Sequence, residues 1–273
     1  MRDLKNNLTS SKSTKNTKVR RGKSFGYQVL GFGSGGITVT PINVDYLIVA
    51  AGGGAGSGGG GGGGMRTSYP GGTKMTLDKS VNTITIGAGV APGSCVGAGG
   101  CSEIVSGTTL SSAGGGKGDG QPLACTVRAN SRDGGAGGAG TAAGQCQPQP
   151  AGQGNVPPVS PPQGANGVTY AGGGGGFAYW PGYDAGTGGS GGGGKGSSHG
   201  QGPNQSAQAG TDGLGGGAGG SAGLRGGNGR IIVRYPTACA SRISIAPGSN
   251  STATTGCCTY ATFNVSGTLT LTG

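Results

Sequence analysis

The chain has 273 residues, 72 of them glycine, roughly a quarter where an ordinary protein has about 7%. Leu, Ile, Val and Phe number 11, 10, 15 and 4, which falls under the roughly 20% apolar share that a conventional globular core requires, and no repeating G-x-y period supports a collagen triple helix. The net charge is +11, concentrated at one end, and no apolar run is long enough to span a membrane.

Residues 1–24 read as a basic arm. Arg2, Lys5, Lys12, Lys15, Lys18, Arg20, Arg21 and Lys23 are opposed only by Asp3, so the arm carries +7 of the total. Rich in Ser, Thr and Asn, it has little apolar surface to bury and needs a partner to hold it. Lys12, Lys15, Lys18, Arg20, Arg21 and Lys23 are the candidate anchoring residues. No aromatic residue stands among the charges before Phe25, so base stacking is absent and nucleic acid is not the expected partner. Residues 25–43 read as an adaptor, with a Gly-Ser-Gly-Gly turn between apolar runs.

Residues 44–236 form the glycine-rich body. It opens with VDYLIVAAGGGAGSGGGGGGGM, in which Gly54, Gly56 and Gly59 satisfy the spacing of a dinucleotide-binding loop. That function needs a helix after the third glycine to hold the pyrophosphate. Here residues 58–64 are all glycine, each costing a helix about 1 kcal/mol relative to alanine. The phosphate-loop spacing of Gly189–Lys195 fails as well, because Gly196 stands where a Ser or Thr would bind magnesium. No cofactor site is expected.

The apolar residues gather into short strand-like runs: Asp45–Ala50, Val81–Ile86, Glu103–Val105 and Ile231–Tyr235. The glycine runs between them have one ordered alternative to coil, the left-handed polyproline-II-type helix with three residues per turn and no internal hydrogen bonds. Several such helices side by side can join N–H to O=C, and only glycine permits the approach. Alanines that interrupt the runs are expected on helices facing outward. Asp45 is likewise expected to face outward or to cap the preceding turn. The fold class is therefore mostly β and irregular: packed polyglycine-II helices with short strands and essentially no α-helix.

Between two glycine blocks, GGGGGFAYWPGYDAG (172–186) places Phe177, Tyr179, Trp180 and Tyr183 within seven residues. This is the candidate recognition loop, since exposed aromatics on a rigid scaffold grip sugars or protein receptors. The alternative is that they cap an end of the lattice. Seven cysteines form no C-x-x-C pair, and Cys257 and Cys258 are adjacent, which fits free or late-oxidised thiols better than a zinc site; Cys95 and Cys101 could close a short loop. After Pro236 the composition changes. Residues 237–273 alternate as strands, read as a small C-terminal β appendix or a strand donated to a neighbouring subunit.

Catalysis is not expected. His199 is the only histidine, set between Ser198 and Gly200, and the eight acidic residues are scattered singly, so neither a general base nor a carboxylate pair stands out.

The succession VDYLIVAAGGGAGSGGGGGGG, NTITIGAG, SSAGGGKG, YAGGGGGF, GTGGSGGGGKG and GGNGRIIVRYP resembles the glycine-rich domain of bacteriophage tail-fibre and adhesin proteins, a relative of which occurs in some receptor tyrosine kinase ectodomains. The resemblance covers about residues 44–236. It implies layers of polyglycine-II helices whose loops contact the host surface, in a non-enzymatic virion protein assembled in a bacterial cytoplasm without a secretory signal. The implied partners are other virion structural proteins, tail or capsid, held through residues 1–43 in an oligomeric or multicopy assembly, and a host glycan or protein. No membrane insertion is expected. A capsid-decorating or head-fibre protein anchored by the basic arm is the alternative reading.

Overall fold

A computed structural model describes residues 39–56, 58–69, 71–90, 98–118, 168–178, 184–198, 206–220 and 223–273. The expected strand runs are strands, with no end moved by more than three residues: β1 (Ile42–Val49), β4 (Val81–Thr85), β5 (Ser102–Val105) and β7 (Arg230–Pro236). Short β2 (Met65–Thr67), β3 (Met75–Leu77) and β6 (Thr109–Ser112) accompany them, and β8 (Ile243–Ala246), β9 (Ser251–Thr255), β10 (Cys258–Phe263) and β11 (Gly267–Leu271) follow. Among the described residues the helical element is a single 3-10 turn, Thr237–Arg242.

The strands form two antiparallel sheets, ordered β2-β1-β7-β10-β9, with β3 also on β1, and β6-β5-β4-β11-β8. Alternation along β1 and β7 turns Ile42, Val44 and Ile48, and Ile231, Val233 and Tyr235, into one buried cluster with Ile84, Ile104, Phe263, Leu269 and Leu271. The cluster draws on both sheets. Each such side chain contributes about 1.5–3 kcal/mol when taken from water, so a modest apolar content suffices where it is concentrated in one sandwich. The other face of β1 and β7 is apolar at one end: Leu47, Val49 and Ile232 pack with Tyr260, Tyr170 and Ala171.

The C-terminal residues are β, but they are neither an appendix nor donated to another subunit. β10 pairs with β7 from Cys258↔Pro236 to Phe263↔Ile231, and β11 pairs with β4 from Gly267↔Ile84 to Thr270↔Val81. The late strands complete both sheets of their own chain, because β7 and β4 would otherwise leave bare edges against the core. At the other boundary, Ile42 and Asn43, placed in the adaptor by composition, are the first residues of β1.

The glycine runs are ordered, and their hydrogen bonds repeat every three residues. From the run 50–55, Ala50 and Gly53 donate to Gly64 and Gly61 of one neighbour at 2.9 Å each, Gly52 and Ala55 donate to Gly227 and Leu224 of a second, and Ala51 donates to Gly100 of a third. The same step recurs from 58–64, where Gly60 and Gly63 donate to Ala218 and Gly215 while Gly61 and Gly64 donate to Gly116 and Ala113. Gly172, Gly175 and Ala178 donate to Gly191, Gly194 and Ser197. A strand would return to one neighbour every second residue and an α-helix would bond within itself; a period of three is that of polyproline-II-type geometry. Positive φ among the described glycines is confined to Gly71, Gly191, Gly192, Gly213, Gly215, Gly223 and Gly256, so the runs have the left-handed sense.

Close approach makes glycine obligatory here. A Cβ on Gly52 would fall on the carbonyl oxygen of Gly216, and one on Gly60 on that of Gly53. Residues 51–56, 58–64, 171–176 and 215–220 are buried throughout. The alanines divide: Ala88, Ala98, Ala113 and Ala209 are exposed, as their methyl groups suggested, whereas Ala51, Ala55, Ala171 and Ala218 are 0% exposed. A three-residue turn points side chains in three directions, and a methyl fits inside wherever its direction falls between neighbouring helices rather than at one.

Candidate functional site

The hydrogen-bond register gives every run a direction. Runs 50–55, 86–90 and 113–118 leave the sheets directly from β1, β4 and β6, and runs 58–64, 98–101 and 224–229 return directly into β2, β5 and β7. The others follow from their pairings. Run 215–220 is antiparallel to 58–64 through Gly60→Ala218 and Gly63→Gly215, so it points away from the sheets; runs 171–178 and 191–198 are parallel to it through Gly217→Gly172, Gly220→Gly175, Gly194→Gly217 and Ser197→Gly220. Runs 184–189 and 206–211 come back, through Gly186→Gly176 and Gly189→Gly173 and through Gln208→Lys195 and Thr211→Gly192.

The bundle therefore has two unlike ends. At the proximal end the runs enter strands or turn tightly at 190–192 and 212–215, where Gly191, Gly192, Gly213 and Gly215 have φ of 99°, 89°, 75° and 66°. Tyr170, 2% exposed, seats this end on the first sheet beside Leu47 and Val49. Burial raises its pKa against the opposing charge and hydrogen bond of Arg230. At the distal end the outgoing runs have Gly56, Val90, Gly118, Ala178, Ser198 and Gly220 as their last described residues, and the returning runs have Gly58, Ala98, Asp184, Ser206 and Gly223 as their first. The backbone groups inside are occupied by one another, so the chemistry this bundle offers outward lies in what its distal end carries.

Phe177 sits at that end, half-buried, next to Ala178, whose N–H donates to the Ser197 carbonyl at 2.9 Å. Tyr179, Trp180 and Tyr183 lie outside the described residues, as do Cys95 and His199 and the arm residues Lys12, Lys15, Lys18, Arg20, Arg21 and Lys23. The aromatic segment nonetheless starts and finishes at the distal end, because Ala178 and exposed Asp184 both lie there. Cys101 is a free thiol.

The sequence profile of the glycine-rich domain matches residues 24–236. The chain belongs to the glycine-rich domain family. No curated protein and no solved structure matches it. The span matched by the glycine-rich domain ends at Pro236, the last residue of β7, and so excludes β8 to β11, the strands that complete both sheets.

Sequence reasoning missed a second polar cluster of this glycine-rich domain, on the outer face of the first sheet away from the bundle. Asp45 does not face solvent: it is 7% exposed. Its carboxylate accepts a hydrogen bond from the Ser68 hydroxyl at 3.2 Å and lies 3.6 Å from Lys74 Nζ and 3.8 Å from an Arg234 nitrogen. The Arg234 guanidinium stacks 4.1 Å from the centroid of the Tyr69 ring and donates to Cys258 Sγ at 3.4 Å. Cross-strand pairing produces this row, since Arg234 lies opposite both Asp45 and Tyr260. An aspartate and an arginine inside otherwise apolar strand runs were the signal available in the sequence. Among the described residues no group of three or more His, Cys, Asp or Glu is placed to hold a metal ion, and no helix is long and apolar enough to cross a membrane.

Proposed function

We propose that this protein is a non-enzymatic bacteriophage virion component of tail-fibre or adhesin type, which uses its polyglycine-II bundle as a stiff mount and its distal end as the surface offered to the host. The observation that carries the reading is the polarity of the bundle: side-chain sheets at one end and, at the other, the ends of the segment bearing Tyr179, Trp180 and Tyr183. A mount cross-linked through its backbone holds the ends of such segments in fixed relative positions without a large apolar core, and recognition residues borne on loops of a rigid scaffold lose little freedom on binding. A glycan or protein of the bacterial surface is the ligand class that exposed aromatics suit.

The concentration of +7 in residues 1–23 favours a second reading, a capsid-decorating or head-fibre protein whose arm follows an acidic shell while the bundle serves as spacer. In both readings residues 1–43 contact other virion proteins, in many copies, after assembly in the bacterial cytoplasm. Two experiments test the proposal. Gold-labelled antibody against this chain should decorate the tail of virions; decoration over the head selects the second reading, and no decoration removes both. Purified protein should block phage adsorption, and replacement of residues 179–183 by Gly and Ser should abolish the block while leaving the melting temperature within about 2 °C. Lost stability with normal blocking would assign the aromatics to packing instead.

A further inference from the structure

We propose that Cys257 and Cys258 form a reactive dithiol that takes low-molecular-weight disulfides, with Cys258 as the attacking thiolate and Cys257 as the resolving thiol, and that the two close on each other as a vicinal disulfide. The pair straddles the end of the Gly256-Cys257 turn between β9 and β10: Cys257 is the last turn residue, Cys258 opens β10 and pairs with Thr255, and Gly256 takes a φ of 58°. Adjacent side chains of a strand point to opposite faces; the turn instead brings the two sulfurs to 3.3 Å from each other. The turn is held from outside, because Thr237 N–H donates to the Cys257 carbonyl at 2.9 Å. Cys257 is exposed and Cys258 half-buried, so a small disulfide has access from the Cys257 side.

Arg234 distinguishes the two thiols. Its guanidinium donates to Cys258 Sγ at 3.4 Å and is itself positioned by Tyr69 and by the Asp45 carboxylate. The groups facing Cys258 are Arg234 on β7, Cys257 on the turn and Tyr260 on β10. Burial opposes ionisation, yet the hydrogen bonds from Arg234 and Cys257 and the guanidinium charge together hold the Cys258 pKa below that of an ordinary thiol. A thiolate beside a fixed cation, with access to solvent and a second thiol within contact, has the attributes of an exchange site rather than of a structural cysteine.

Atoms and electrons balance with glutathione disulfide as oxidant. The Cys258 thiolate attacks one of its sulfurs; the protein–glutathione S–S bond forms, the glutathione S–S bond breaks, and one glutathione thiolate leaves and takes a proton from water. Cys257 then loses its proton to water and attacks the Cys258 sulfur, so that the second glutathione leaves in the same way. Two protein thiols are oxidised and one disulfide is reduced to two thiols. Adjacent Cα atoms stand about 3.8 Å apart, shorter than the roughly 4.4–6.8 Å of relaxed disulfides, so the closed ring reopens under excess thiol.

The test uses the whole protein incubated with glutathione disulfide, alkylated, cut with trypsin and weighed. No Lys or Arg lies between Arg242 and residue 273, and Cys257 and Cys258 are the cysteines of that stretch. Wild-type peptide is expected to lose two hydrogens and resist alkylation, and to recover both thiols in excess reduced glutathione. Cys257→Ser should retain glutathione on Cys258. Cys258→Ser should react more slowly, because the guanidinium that favours a thiolate bonds Cys258; each unit by which an attacking thiol's pKa rises slows it about three-fold, since a Brønsted slope near 0.5 returns half of the lost thiolate fraction as nucleophilicity. Arg234→Gln should slow Cys258 in the same proportion. The proposal is overturned if both thiols are still alkylated after Cys101 has been fully converted, if wild type retains the adduct, or if the two single-cysteine variants react equally fast.

Discussion

Substituting Gly60 by alanine tests the physical basis of the fold. Gly60 lies in the middle of the buried run 58–64; its N–H donates to Ala218 at 2.8 Å and its carbonyl accepts from Gly174 at 2.8 Å. A Cβ there would collide with the Gly53 carbonyl oxygen and stand 2.7 Å from its carbon and 2.9 Å from the Gly54 oxygen, all backbone atoms that cannot swing aside. Runs 50–55 and 58–64 must part, and the bonds Gly53→Gly61 and Ala50→Gly64 stretch in a place water does not reach. Each buried group left without a partner costs about 1–3 kcal/mol, so two bonds cost roughly 2–6 kcal/mol, offset by about 0.4–1 kcal/mol because alanine stiffens the unfolded chain. For a chain of this size 1 kcal/mol moves the melting temperature by about 2–4 °C, so the net loss of roughly 1–5 kcal/mol should make Gly60→Ala melt about 2–20 °C below wild type in a circular dichroism or scanning calorimetry experiment. Gly248→Ala is the control: a Cβ there meets nothing within 4 Å, and the variant should match or slightly exceed wild type. If Gly60→Ala melts with the Gly248→Ala control, backbone contact is not what holds the bundle.

Phe263→Ala, which empties a fully buried position between the sheets, should destabilise by about 3–5 kcal/mol in urea unfolding, and an unchanged midpoint would show that the late strands are dispensable to the core. Asp45→Ala leaves half-buried Arg234 without its carboxylate and should cost about 2 kcal/mol or more by the same measurement, whereas a neutral result would place Asp45 in solvent. Asp212 accepts hydrogen bonds from Arg225 at 2.6 and 2.9 Å and from the Asn228 N–H at 2.8 Å. The Arg225 hydrogen bond, with help from Asn228 and the charge of Arg225 and against some burial, lowers the Asp212 pKa. A carboxylate whose folded pKa is depressed adds stability above its unfolded pKa and loses it as pH falls through the folded value. Asp212→Asn should therefore melt below wild type at pH 7, by the small amount of an exposed pair, under about 1 kcal/mol, and the gap should close below about pH 4; a gap that persists at pH 2 would refute the ionic account.

Much of the scaffold was legible in the residue order. Runs such as YLIV and RIIVRYP are strands because branched and aromatic residues suit a pleated surface, and seven consecutive glycines rule out an α-helix through backbone entropy alone, a local property that needs no knowledge of neighbours. Which run meets which was decided only in three dimensions. Glycine carries no side chain with which to specify a partner, so nothing in residues 58–64 names 113–116 and 215–218 as their neighbours; that pairing follows from where β1 and β6 release the chain and β2 and β7 take it back. For the same reason the buried alanines, the inward Asp45 and the return of β10 and β11 into the sheets escaped the sequence. Each depends on a direction fixed by packing, in a lattice where the repeat is three and one misplaced methyl meets a carbonyl.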